Sequence, residues 1–168
     1  MGAGSGAGVG AQSAPDEATV DNEIQYLNTD LDLTSAEDLT ALVAGLESRG
    51  VHPLHAAPCD DGLWYATFET FECYFEPETH IAAMLNALDS LPPELQAVWS
   101  RCMRRQFDIG YGCGSEPWGF HQDLSNELLG RMSAAGASLR ITIYPDPECG
   151  QRADSPSLGP DSPAETSG

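Results

Sequence analysis

The chain has 168 residues, with seven arginines, no lysine and 26 Asp and Glu, a formal net charge of −19. Such a polyanion repels phosphate backbones and anionic lipid and attracts cations and basic proteins, so neither a nucleic acid nor a membrane is an expected partner. An odd set of cysteines (Cys59, Cys73, Cys102, Cys113, Cys149), no secretory pattern and no run near the ~18 apolar residues of a membrane span argue against a disulfide framework and a spanning helix, and predict a cytoplasmic protein with buried free thiols.

Residues 1–21 are mostly Gly, Ala and Ser and predict a disordered tail, because they offer too little apolar surface to offset chain entropy. Within Glu23 to Leu33, Leu31 and Leu33 alternate with Asp30 and Asp32, which predicts a strand with one wet face. The apolar parity changes near Leu27 and suggests a bulge. Ser35 is placed to cap a helix, with Asp38 three residues on and a stripe of Leu39, Leu42, Val43 and Leu46 that stops at Gly50. Val51 to Ala57 carries Pro53 and reads as an edge strand. Asp60-Asp61-Gly62 reads as a turn leading into a central strand, Leu63 to Thr70, rich in aromatic and β-branched residues.

Pro77 opens a second helix with the stripe Ile81, Met84, Leu85 and Leu88, and Pro92-Pro93 divides it from a third, Glu94 to Met103. Gln106 to Cys113 sets Phe107, Ile109, Tyr111 and Cys113 against Asp108, Gly110 and Gly112, so another backbone or a ligand comes close on the glycine side or the strand bulges. A loop with Trp118 and Phe120 follows, then a helix capped by Asp123 or Ser125 with the stripe Leu124, Leu128, Leu129 and Met132. Leu139, Ile141 and Ile143 alternate through a last strand to Tyr144. Residues 146–168, rich in Pro, Ser and Gly, predict a second disordered tail, leaving 22–145 as one domain with 18 acids against six arginines.

The order β-α-β-β-α-α-β-α-β predicts an α+β fold. It is a ferredoxin-like pattern with an appended α-β unit, a mostly antiparallel sheet and helices on one face. Asn28 to Leu33, Gly62 to Thr70 (GLWYATFET), Phe107 to Tyr111 (FDIGY) and Leu139 to Tyr144 (LRITIY) resemble a bacterial family catalogued as a domain of unknown function. The resemblance implies a small bacterial protein and carries no activity or catalytic residue. A looser likeness, of size and charge only, runs to small acidic immunity proteins that neutralise toxins.

Candidate chemistry is sparse. Asn28, Asp30 and Asp32 point one way along a strand, about 6–7 Å apart per step. A flat strand does not wrap a cation, so they read as a solvated or partner-facing row, or as partners of Arg140 or another arginine. His52 and His55 flank Pro53 and are expected on opposite faces, and His80 is expected to face water or Glu76. His121 with Cys113 or Asp123 has no spacing that enforces a catalytic couple. Arg101, Arg104 and Arg105 read as helix capping and ion pairs. Trp118 is either an exposed binding anchor, with Phe120, or a loop-packing residue.

Solubility or compositional background would account for the acidity; so would a surface shaped for a basic partner. The expected function is a non-enzymatic acidic binding protein, an immunity-type inhibitor being one form of it. The expected partner-binding residues are Asn28, Asp30, Asp32, Trp118 and Phe120, with no cofactor, metal site or catalytic residue. The alternative is an enzyme or small-ligand binder with a pocket near Tyr111, Trp118 and His121.

Overall fold

Period-two patterning builds five strands and 3.6-residue patterning four helices. The computed structural model describes residues 23–114 and 117–145, so the two tail expectations lie outside the described residues. The elements are β1 (Gln25–Ser35), α1 (Thr40–Glu47), β2 (Val51–Pro58), β3 (Trp64–Thr70), α2 (Pro77–Asp89), α3 (Pro93–Arg101), β4 (Arg104–Gly112), α4 (Asn126–Ala134) and β5 (Ser138–Tyr144). The sheet order is β2-β3-β1-β4-β5. The first four strands pair antiparallel, β2 with β3, β3 with β1 and β1 with β4. That is the ferredoxin-like arrangement, and β5 joins it parallel to β4 after the α4 crossover. The fold is therefore α+β, with a mixed, mostly antiparallel sheet.

One face of this sheet is covered. Leu31, Leu33, Phe68, Phe107 and Ile109 are essentially inaccessible and pack with Leu39, Leu42 and Leu46 of the α1 region and Ile81, Met84 and Leu85 of α2. The parity change at Leu27 is a real register shift between Tyr26 and Asn28. It turns Asn28 to the same side as Asp30 and Asp32. Gly110 lies directly beneath, where an added Cβ would come within 2.8 Å of Asn28 Oδ1 and 3.3 Å of the Tyr144 ring. What comes closest at Gly110 is therefore the side chains of Asn28 and Tyr144, not the other backbone or ligand that the glycines suggested.

Five expectations are corrected. The first helix begins at Thr40, since Ser35 is the buried last residue of β1 and its Oγ accepts from the Glu37 N–H, while Asp38 accepts from the Thr40 N–H. A side-chain turn at Ser35 thus takes the hydroxyl that would have capped a helix. His52 and His55 are in phase, because a register shift between Pro53 and His55 leaves them opposite Glu69 and Thr67, two residues of one face. Leu129 is exposed, while Leu128 and Met132 form the buried stripe of α4, capped by Ser125, whose Oγ accepts from the Leu128 N–H. Of the described cysteines only Cys102 is buried; Cys59, Cys73 and Cys113 lie in turns or at a strand end and are exposed.

The fifth correction is His80, which is buried on α2. Its Nδ1 lies 2.7 Å from the Tyr26 hydroxyl and its Nε2 2.8 Å from Thr70 Oγ1. Those two strand hydroxyls satisfy both ring nitrogens, so the imidazole stays inside at little cost. Burial lowers its pKa below the usual histidine value.

Candidate functional site on the uncovered sheet face

The other face of the sheet carries the polar row of every strand. Direct cross-strand pairing sets Asp30 opposite Asp108, Asp108 opposite Arg140, and His52 opposite Glu69. One step beyond the Leu31–Phe68 pair, Glu69 stands beside Asp30. His52, Glu69, Asp30, Asp108 and Arg140 therefore form one line across all five strands, with three carboxylates on the three central ones. Like charges directly opposite each other in a sheet destabilise it, so the counter-ions decide what this line can do.

Two of the nearby carboxylates are fully engaged. Asp32 accepts from Thr67 Oγ1 at 2.9 Å, from Arg140 Nη2 at 2.9 Å and from Arg104 Nη2 at 3.3 Å. Asp108 accepts from Arg140 Nε at 2.7 Å and from Thr142 Oγ1 at 2.7 Å. Burial raises the Asp108 pKa, but the bonds from Arg140 and Thr142 outweigh it and hold the carboxyl below its ordinary range. Arg104 also bonds to Gln106. This is a closed network in which both guanidinium groups are spent on the protein's own acids.

Asp30 and Glu69 are different. Asp30 accepts from Asn28 Nδ2 at 2.9 Å. Glu69 makes no hydrogen bond or ion pair among the described residues. Burial, reinforced by Glu69, Asp32 and Asp108, pushes the Asp30 carboxyl up to about 6. An added cation at this point would relieve that repulsion. Among the described residues, no group of three or more His, Cys, Asp or Glu side chains could hold a metal ion.

The remaining candidates are not brought to this line. Phe120 is edge-on to Tyr111 at 4.9 Å, on the helix-covered side of β4. Tyr111 is buried and donates to Gln122 Oε1 at 2.6 Å. Trp118 is completely exposed, so it packs no loop onto the sheet. A cavity of about 500 Å³ is lined by Arg49, Thr70, Phe71, Glu72, Tyr74 and Ser90, among others, and by none of Tyr111, Trp118 or His121. A second, about 350 Å³, lies against Trp99 and Arg105. The arginine cluster behaves as expected: Arg101 makes a two-pronged pair with Glu37, Arg104 pairs with Asp32, and Arg105 donates to the carbonyls of Trp99 and Ser100 at the end of α3.

Sequence reasoning missed Glu69 and the central place of Asp108. The signal was present in parity, since Asp108 sits between buried Phe107 and Ile109 and Glu69 follows buried Phe68, but their alignment with Asp30 needed the strand order. No protein-family model, curated protein or solved structure matches the chain. No helix among the described residues is long and apolar enough to cross a membrane.

Proposed function

We propose that the protein is a non-enzymatic binding protein whose uncovered sheet face receives a cationic group of a basic protein. In its narrowest form it is an immunity-type inhibitor of a basic toxin. The observation that carries the reading is the Asp30–Glu69 pair, two adjacent, part-buried carboxylates on that face with no guanidinium bonded to them. A partner arginine or lysine entering there gains two charge-assisted hydrogen bonds and removes a repulsion that the free protein carries. The surrounding charge of the chain steers such a partner from a distance. Asp32 and Asp108, by contrast, are already neutralised by Arg104 and Arg140.

The test is a titration of the ¹⁵N-labelled full chain with hexa-arginine peptide, followed by amide shifts. The expected shifts centre on β1 and β3 around Asp30 and Glu69, and weaken several-fold in the D30N/E69Q variant. Shifts spread evenly over the acidic surface, or unchanged in the variant, would sink the proposal. Shifts centred on Trp118 would move the site to the β4–α4 loop.

A further inference from the structure

The two edges of the sheet are built differently. An exposed strand edge is a template for pairing with another chain, and natural proteins blunt it with proline, bulges or charge. The outer edge of β2 has two of these, proline and a bulge: Pro53, a register shift beside Leu54, and Pro58 at its end. β5 has neither. It is Ser138-Leu139-Arg140-Ile141-Thr142-Ile143-Tyr144, in unbroken register with β4 and with no strand on its outer side among the described residues. Its apolar row is uncovered as well, with Ile141 54% and Ile143 64% exposed, and Leu129 of α4 exposed too.

The chemistry of this edge selects its occupant. The Tyr144 carbonyl accepts from the Cys113 N–H, so the backbone groups of Tyr144 face β4. Backbone groups alternate sides along a strand, so those of Leu139, Ile141 and Ile143 face outward. The occupant must be an extended strand with apolar residues in those phases and no acid that would meet the surrounding negative charge. β5 itself fits. Paired antiparallel about Ile141, its seven residues match end to end: Ile141 meets Ile141 of the second copy, Leu139 meets Ile143, and about six hydrogen bonds close. Its one charge, Arg140, falls opposite Thr142 of the second copy and is already neutralised by Asp32 and Asp108. On a chain of net charge −19, this acid-free strand is where two copies can approach. The sequence after β5 cannot supply the same ladder, because Pro147, Pro156, Pro160 and Pro163 lack N–H donors. Residues 1–22 hold no apolar side chain larger than valine except Met1, too little to cover two isoleucines.

We infer that β5 is a homodimer interface, joining two sheets edge to edge into one continuous ten-stranded sheet. Sedimentation equilibrium of the full chain, 17.9 kDa, should return twice that mass at tens of micromolar. Raising salt from about 0.05 M to about 0.5 M should tighten the dimer several-fold, since it screens the repulsion between like-charged copies. Ile141→Glu should give a monomer with an unchanged urea midpoint when compared as monomers. Leu54→Glu, the same change at the β2 edge, should leave the dimer in place. A wild-type monomer at about 100 µM and high salt, or a dimer that survives both Ile141→Glu and Ile143→Glu, would overturn the inference. Neither result bears on Asp30 and Glu69, which lie on the open face two or more strands away from β5.

Discussion

Asp30 and Asp32 are equivalent by strand parity and opposite in consequence. Asp30 has a folded pKa near 6 against an unsupported value of 3.8. The folded state therefore holds that proton more tightly than the unfolded chain. The stability so gained is complete below about pH 4 and is lost as pH rises through about 6. Asp30→Asn should then stabilise the protein by about 1–2 kcal/mol at pH 7, after discounting for solvent screening at a partly exposed site, and by close to nothing near pH 4. The Asn28 bond survives the change, because asparagine keeps an acceptor oxygen. Asp32→Asn should instead cost about 1–2 kcal/mol at pH 7, since Arg104 loses its carboxylate and Arg140 one of two. Urea unfolding of both variants at the two pH values checks this, and equal signs at pH 7 would mean that the network has been misassigned.

At the scale of elements, α4 shows how a helix turns one leucine in and the next out. Leu128 is 3% exposed and Leu129 is 43% exposed. Leu128→Ala should cost about 2–5 kcal/mol, as should Leu42→Ala on α1, where the side chain is fully buried. Leu129→Ala should change the urea midpoint by less than about 0.5 kcal/mol in free energy. A large loss at Leu129 would place it under another element. The apolar stripes of α1 and α2 were legible because a 3.6-residue repeat depends only on local geometry. The start of α1 was not, because a serine hydroxyl can close a turn or cap a helix from the same local sequence, and packing of β1 chose the turn. The bulge that brings His52 and His55 into phase was equally hidden, since it is a relation between β2 and β3 rather than a property of either.

For the whole molecule, salt separates the two associations by sign. Binding of a basic partner at Asp30 and Glu69 should weaken as salt rises, while pairing of two acidic copies through β5 should strengthen, because the Debye length falls from ~10 Å at 0.1 M to ~3 Å at 1 M. No binding to duplex DNA is expected at physiological salt, given a net charge of −19. A filter-binding or anisotropy titration showing micromolar affinity would contradict the electrostatic reading of the surface.

Sequence alone determined the sign and size of the charge, the order of nine elements, the edge position of β2, the central position of β3 and the bulge near Leu27. Those follow from short-range patterning, from where proline can sit and from counting charges. Only the tertiary structure decided which carboxylates are answered. Arg140 reaches Asp32 across 108 positions in the chain and Asp108 across 32. Glu69 and Asp30 are left to each other by the same strand order. Charge pairing acts through space, so a list of acids and arginines is silent about it until the strands are placed side by side.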